Sequence, residues 1–355
     1  MKKILRGDNI LTIGCEYNPP KGGVAQVLYT YSQEVYACFR CITNSGSKGT
    51  IMKIWQAIWG LIKMAILLFS NNDIRIVHIH TASYKSFQRS LWFLKVAKLF
   101  KRKVILHIHG GGFKDYYRTN PIGVLENLRK ADCIITLSDS WKCFFSDELH
   151  LSNVVTVQNV VPYPTLKKIE KKDNRIHLLY LGAINNQKGI FDLIDVIGQN
   201  RTKCQGKLIL HVGGNQEVER LNNCISKYGI EDIVKYEGWV KGDKKIALLN
   251  LMDAFILPSY VEGLPISLLE SLSYGKPVIT TPVGGIPEVV NDKNGYMFVP
   301  GDKKALSEIL NNIIANPSTL KLKAESAKES VRSNFPDSVA KVLEITYKKI
   351  IEDKL

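Results

Sequence analysis

With 355 residues, 45% of them hydrophobic, the chain is long enough for two domains, each with a buried core. Its formal net charge of +15 is carried by one half: residues 1–172 hold 25 Lys and Arg against 11 Asp and Glu, whereas residues 173–355 hold 23 against 22. The first half therefore faces something anionic, and because no zinc-finger or RNA-recognition motif accompanies the charge, nucleic acid is set aside in favour of an anionic membrane surface. Seven scattered cysteines, with only Cys38 and Cys41 in a C-x2-C pair, exclude a four-ligand zinc site and read as reduced thiols of a cytoplasmic protein.

The N-terminal run MKKILRGDNILTIGCEYNPP is basic, but Arg6, Asp8 and Glu16 break its apolar stretch, so it reads as a first strand, Ile10–Gly14, and not as a signal peptide. Pro19-Pro20-Lys21-Gly22-Gly23-Val24 then opens toward a helix. Gly22 and Gly23 either punctuate a turn or let the backbone approach a phosphate where a side chain would clash. Ile51–Phe69 approaches the length of a membrane span. Lys53 and Lys63 interrupt it, and a lysine near a bilayer centre costs roughly 2.5 kcal/mol or more, so a buried or interfacial helix is expected and no transmembrane segment. The next strand, Ile76–His80, ends in His78 and His80, read as structural, with His80 the nearer to an acceptor. Lys85–Lys103 mixes Trp92, Phe93, Leu94 and Phe100 with seven basic residues. It either lies on anionic headgroups or packs on a sheet with its lysines in water.

Strand Val104–His109 leads into Gly110-Gly111-Gly112. Alternation places His107 and His109 on one face; a metal pair is conceivable there, but no carboxylate ligand is supplied nearby, and no metal site is assigned. Strands Cys133–Leu137 and Val154–Gln158 follow. Asn159–Lys172, with Pro162 and Pro164 and a basic polar run, reads as linker and hinge. A second series then runs Ile176–Gly182, Lys207–Val212, Val234–Gly238, Ala254–Leu257 and Pro277–Thr280. Strand-like and helix-like segments thus alternate twice, as in two doubly wound α/β domains, which bind ligands beyond the carboxyl ends of their strands. Lys188, in Tyr180-Leu181-Gly182-Ala183-Ile184-Asn185-Asn186-Gln187-Lys188-Gly189, is either a surface lysine or a phosphate contact.

The most informative run is LPSYVEGLPISLLESLSYGKPVITTPVGGIPEVV, Leu257–Val290. Pro265 suits a first helical position and Gly275 a helix end, so Glu262 precedes a helix and Glu270 sits inside it. The N–H groups at the entrance, around Gly263, Leu264 and Ile266, lack intrahelical partners and carry the positive end of the dipole, where a diphosphate docks. Glu270 is placed to accept two ribose hydroxyls and Glu262 to reach a sugar. The bland alternative makes Glu262 a loop charge and Glu270 a solvated helix position.

From its ESxxxG helix to its GGxPE loop, this run resembles the signature of retaining, GT-B-type glycosyltransferases of family 4 (glycosyl transferases group 1), and Glu262 and Glu270 match that family's E-x7-E pair. The resemblance implies two Rossmann-like domains facing across a cleft: an acceptor-side domain, 1–165, onto which a last helix in 337–355 packs back, and a nucleotide-sugar-binding domain, 166–336. It assigns Glu262 to the donor sugar, Glu270 to the ribose, Gly22 and Gly23 to an N-terminal glycine-rich loop, His109 to the reacting centre and Trp239, in Gly238-Trp239-Val240, to the nucleotide base, against an equal reading of Trp239 as a core residue. Lys188 matches one cationic partner of the diphosphate. Ala183 stands where the family commonly has an arginine, and Val160 follows Asn159 where the family usually has glycine. The implied activity is metal-independent transfer of a sugar from a UDP- or GDP-linked donor, with no cofactor, to a lipid-linked or soluble glycan in bacterial surface-polysaccharide synthesis, in the cytoplasm or peripheral on the inner face of the plasma membrane. No D-x-D sequence occurs. A sugar-nucleotide epimerase and a non-catalytic sugar-nucleotide-binding subunit are the rival readings.

Overall fold

The computed structural model describes residues 5–46, 49–171 and 173–355; the start of the N-terminal run, 1–4, and the last linker residue, Lys172, lie outside these. Among the described residues, twelve strands form two six-stranded parallel sheets. The first contains β1 (Ile10–Cys15), β2 (Cys41–Ser45), β3 (Ile76–Thr81), β4 (Lys103–Ile108), β5 (Cys133–Thr136) and β6 (Val154–Thr156), ordered β2-β1-β3-β4-β5-β6. The second contains β7 (Ile176–Leu181), β8 (Leu208–Gly213), β9 (Val234–Gly238), β10 (Ala254–Leu257), β11 (Val278–Thr280) and β12 (Gly295–Met297), ordered β12-β11-β10-β7-β8-β9. Central strands are near-continuous apolar runs because crossover helices cover both faces. Leu178, Leu179, Leu210, Phe255 and Ile256 accordingly have no exposed surface.

All ten expected strands are present, with ends shifted by a residue or two. The two that were not expected, β2 and β12, are sheet edges. β2 reads Cys-Ile-Thr-Asn-Ser and β12 only Gly-Tyr-Met, and a strand paired on one side needs no unbroken apolar run.

The chain divides into two compact units, Met1–Pro162 with Ser333–Leu355, and Tyr163–Arg332. The returning segment is tied to the first unit by the Val161 N–H donating to the Asn334 carbonyl and Asn334 Nδ2 donating to the Asn159 carbonyl, both at 2.9 Å. The dividing points therefore fall a few residues before 165 and 336, the boundaries read from the sequence. The last helix, Pro336–Ile351, buries Val339, Leu343, Tyr347 and Ile350 in that unit.

Three helices of the first unit matter below: α1 (Gly23–Thr30), α2 (Thr50–Ser70) and α3 (Lys85–Leu99). α3 sends Phe87, Phe93, Leu94 and Ala97 into the core. Placing Phe93 and Leu94 on headgroups is thereby corrected: the sheet takes them, and of the four expected apolar residues only Trp92 is exposed while Phe100 packs half-buried.

In the second unit the loop after β7 runs against the loop after β10. Gly189 has φ +67°, and a Cβ there would stand 1.9 Å from the Pro258 carbonyl oxygen. Gly206 has a similar φ of +72° with open space around it. Both Gly189→Ala and Gly206→Ala should lose the left-handed allowance, about 1–2 kcal/mol, but only Gly189→Ala should lose more, because backbone must move. Urea unfolding of the two variants checks this; equal losses would mean the loops do not constrain each other.

Candidate active site

Strands of the second unit run from β7 to β9 in one direction and from β10 to β12 in the other, so the switch point lies between β7 and β10, where open α/β sheets bind ligands. From β7 comes a short turn, Asn186–Lys188, capped by Asn185 Oδ1 accepting from the Lys188 N–H at 3.1 Å. From β10 comes the segment that carries Glu262. Lys188 Nζ donates to Glu262 Oε1 at 2.6 Å, and Ser259 Oγ donates to the same oxygen at 2.8 Å. Tyr180, beneath them on β7, donates its hydroxyl to the Ala183 carbonyl at 2.6 Å. Burial, reinforced by the charge of Glu262, holds that phenol far above its ordinary range, so it stays protonated.

The helix Ile266–Ser273 starts one residue later than expected, with Pro265 as its N-cap. No side chain caps it, and the side chains of Leu264 and Ile266 are buried. Gly275, at φ +69°, ends the helix: its N–H donates to the Leu272 carbonyl at 2.8 Å and the Lys276 N–H to the Ser271 carbonyl at 3.1 Å. The GGxPE loop braces the entrance. Gly284, φ +59°, would put a Cβ 2.2 Å from the Glu262 carbonyl oxygen, and the Gly285 N–H donates to the Gly263 carbonyl at 2.6 Å.

Glu262 is 8% exposed and Glu270 5%, so neither is a loop charge or a solvated helix position. A buried carboxylate without a partner is penalised by several kcal/mol, and each has an ammonium. For Glu270 it is Lys245, from the helix Gly242–Leu251, whose Nζ donates to Oε1 at 2.6 Å. Lys245 lies outside every motif that sequence reasoning singled out, and Ser259, though inside Leu257–Val290, was given no role there. The available signal was Glu270 itself, an acid inside a run of Leu and Ser that buries every residue from Leu268 to Ser273. Trp239, just after β9, is 43% exposed, which removes the core reading. Ala183 contributes its carbonyl and no charge.

In the first unit, Gly22 (φ +135°) is the N-cap of α1, whose first turn has neither a capping side chain nor an acid. His109 lies one residue past β4 and is joined to β3 by its N–H donating to the Thr81 carbonyl at 2.8 Å. His78, His80, His107 and His109 form a stack. The His107 and His109 ring centroids are 4.2 Å apart and those of His78 and His80 4.4 Å. His80 Nδ1 and His109 Nε2 share a hydrogen bond of 2.9 Å, His78 Nε2 and His107 Nδ1 one of 3.2 Å, and His78 Nδ1 meets the Tyr347 hydroxyl at 2.7 Å. Ring nitrogens of His78, His80 and His107 come within 4.8 Å of one another. Burial keeps all four imidazoles neutral: it lowers His78 to about 3, and His109 to about 4 against an opposing interaction with the Asn159 side chain, while His80 and His107 fall well below the ordinary value. His109 is thus available as a hydrogen-bonding imidazole and not as a cation.

Residues 164–331 match the family model described as glycosyl transferases group 1. The chain is 27% identical over 342 residues to an uncharacterized glycosyltransferase of Methanocaldococcus jannaschii, spanning 89% of this chain and 83% of that one. It is 26% identical over 196 residues to WcaL of Escherichia coli K12, a protein named for a glycosyltransferase of colanic acid biosynthesis, spanning 51% of this chain and 47% of that one. The crystal structure of Anabaena HepE with UDP and glucose superposes with a TM-score of 0.74 at 16% identity, covering 96% of this chain and 99% of that one. The fold is therefore GT-B, with two Rossmann-like α/β units. The family model is one of glycosyltransferases, as are both relatives named, and the family match falls on the unit that holds Lys188, Glu262 and Glu270.

The histidine stack makes a pH prediction. Its imidazoles titrate near 6.5 when unfolded and far lower when folded, so only the unfolded chain gains protons as pH falls below 6.5. Stability is full above that pH and is lost progressively as pH falls toward about 4. Urea midpoints at pH 7.5 and 5.5 should show the loss. A flat profile would mean the stack is accessible to protons in the folded state.

Proposed function

We propose that the protein moves a sugar from a nucleoside-diphosphate sugar, UDP- or GDP-linked, to a hydroxyl of a glycan acceptor with retention at the anomeric carbon, in the synthesis of a surface polysaccharide. The observation that carries this is the pair of buried, ammonium-paired carboxylates at the switch point, at the spacing of the E-x7-E signature. Backbone N–H groups at Gly263, Leu264 and Ile266, with the helix dipole behind them, receive the diphosphate. Lys188 adds the cation that Ala183 does not supply, and it stabilises the departing diphosphate. Glu270 accepts the ribose hydroxyls, Trp239 stacks on the base, and Glu262 holds the sugar as positive charge develops at its anomeric carbon. The departing phosphate takes the proton of the attacking hydroxyl on the same face, and this scheme calls for no metal ion. The family resemblance assigns His109 as a neutral hydrogen-bond partner of the sugar, and Gly22 and Gly23 to a phosphate-side turn. A lipid-linked acceptor on the cytoplasmic leaflet fits the basic first half and the polysaccharide context of the colanic acid relative, of which the chain spans less than half.

A thermal-shift screen against UDP-, GDP-, ADP- and dTDP-sugars identifies the donor, and product analysis with and without acceptor separates transfer from epimerisation. Stabilisation by none of them would remove the donor site. The two glutamates should then part company. Glu270→Gln should raise the donor KM about tenfold, the loss of charge-assisted bonds being about 1.5 kcal/mol or more. Glu262→Gln should lower kcat strongly while nucleoside-diphosphate affinity survives. Normal turnover by Glu262→Gln would overturn its assignment.

A further inference from the structure

The face of the first unit presented by α2 is unlike any surface that water favours. The helix is 21 residues long, about 31 Å at 1.5 Å per residue, and it is apolar on both sides. Ala57, Met64 and Leu68 point inward and are buried in the core. Ile51, Trp55, Ile58, Ile62, Ile66 and Phe69 recur at spacings of three and four on the opposite side, and are between 41% and 83% exposed. Such a continuous stripe marks an interaction surface and not scattered exposure. By length and composition α2 is the described helix that is long and apolar enough to cross a membrane. Spanning, however, would strip its inward face from the sheet.

We propose that α2 is an in-plane membrane anchor, its outward face seated at the boundary between headgroups and acyl chains of a bilayer containing anionic lipid. The charge distribution selects this occupant. Residues 49–103, which make up α2, α3 and their flanks, carry ten Lys and Arg and one acid, Asp73. Lys53, Lys63, Lys85, Lys95 and Lys101 have no ion-pair partner among the described residues. A second copy of the chain docked on this face would set those charges against themselves, whereas anionic headgroups neutralise them. Lys63 borders the apolar stripe with its Nζ 5.5 Å from the Trp59 ring centroid, so its ammonium reaches the headgroup level while its stem and the indole remain in the interface. Trp55 and Trp59 are the side chains such a boundary favours. The membrane contact that the sequence left open for Lys85–Lys103 thus falls to α2, with the basic side chains of α3 beside it.

The inference does not depend on the donor chemistry, and the experiment keeps the two apart. The full chain is sedimented with vesicles of phosphatidylcholine alone and of phosphatidylcholine with phosphatidylglycerol, at low and high salt, beside the double variant Trp55→Glu, Ile62→Glu. Both positions face water in the free protein, so the variant should keep its circular dichroism, its melting temperature and its donor-induced thermal shift. The expected result is binding to the anionic vesicles that weakens with salt, and at least a tenfold lower partition coefficient for the variant. Brominated lipid should quench the wild-type tryptophan emission and quench it far less in Trp55→Phe, Trp59→Phe. Equal partition of wild type and the glutamate variant, no binding to anionic vesicles, or a wild-type dimer that the glutamate variant dissociates would each overturn the proposal. Failure of every sugar nucleotide to bind would leave it standing.

Discussion

The contact on which the second unit's ligand face depends is the bond from Lys188 Nζ to Glu262 Oε1. The carboxylate is nearly out of water, and a charge there survives only beside an opposite charge with its remaining lone pairs engaged. The acid comes from the loop after β10 and the base from the turn after β7, so neutralising Glu262 sets the spacing of the two loops across the switch point. Gly189 against the Pro258 carbonyl holds the same spacing by contact, and Gly284 against the Glu262 carbonyl packs the loop after β11 on the loop after β10. The Glu270–Lys245 pair repeats the device one helix further in. Lys188 and Lys245 are thereby fixed by ion pairs before any ligand arrives, the preorganisation that the proposed stabilisation of a leaving diphosphate requires.

The first unit buries its polar groups without ionising them. Its four stacked histidines, with Tyr36 and Tyr347 hydroxyl to hydroxyl, are neutral because burial makes each charged form expensive. Tyr347 is brought by the final helix, so the C-terminal segment completes a polar network that starts on β3. His80 and His109 form a second hydrogen-bonded pair, stacked on the first. The tautomer of His109 is coupled to that of His80.

Much of the fold was legible because its central strands are buried on both faces and read as unbroken apolar runs. Much of the site was legible because backbone geometry demands particular residues: glycine where the loops touch, proline at the helix entrance, and carboxylates eight positions apart. The misses have equally physical causes. β2 and β12 lie at edges and need little hydrophobicity. Lys245 and Ser259 meet the glutamates through packing, and nothing in their local sequence distinguishes them from other lysines and serines of the chain.

By itself, then, the sequence determined the two α/β series, the turn chemistry at the strand ends and the E-x7-E pair, since each follows from residues within one or two turns of chain. Tertiary structure decided which charges are partners, which histidines are neutral and which side of α2 faces out. That last point shows the reason most plainly. Both faces of α2 carry large apolar side chains, so composition alone does not say which is buried, and only the sheet, by accepting Ala57, Met64 and Leu68, left Ile51, Trp55, Ile62 and Phe69 to the surface.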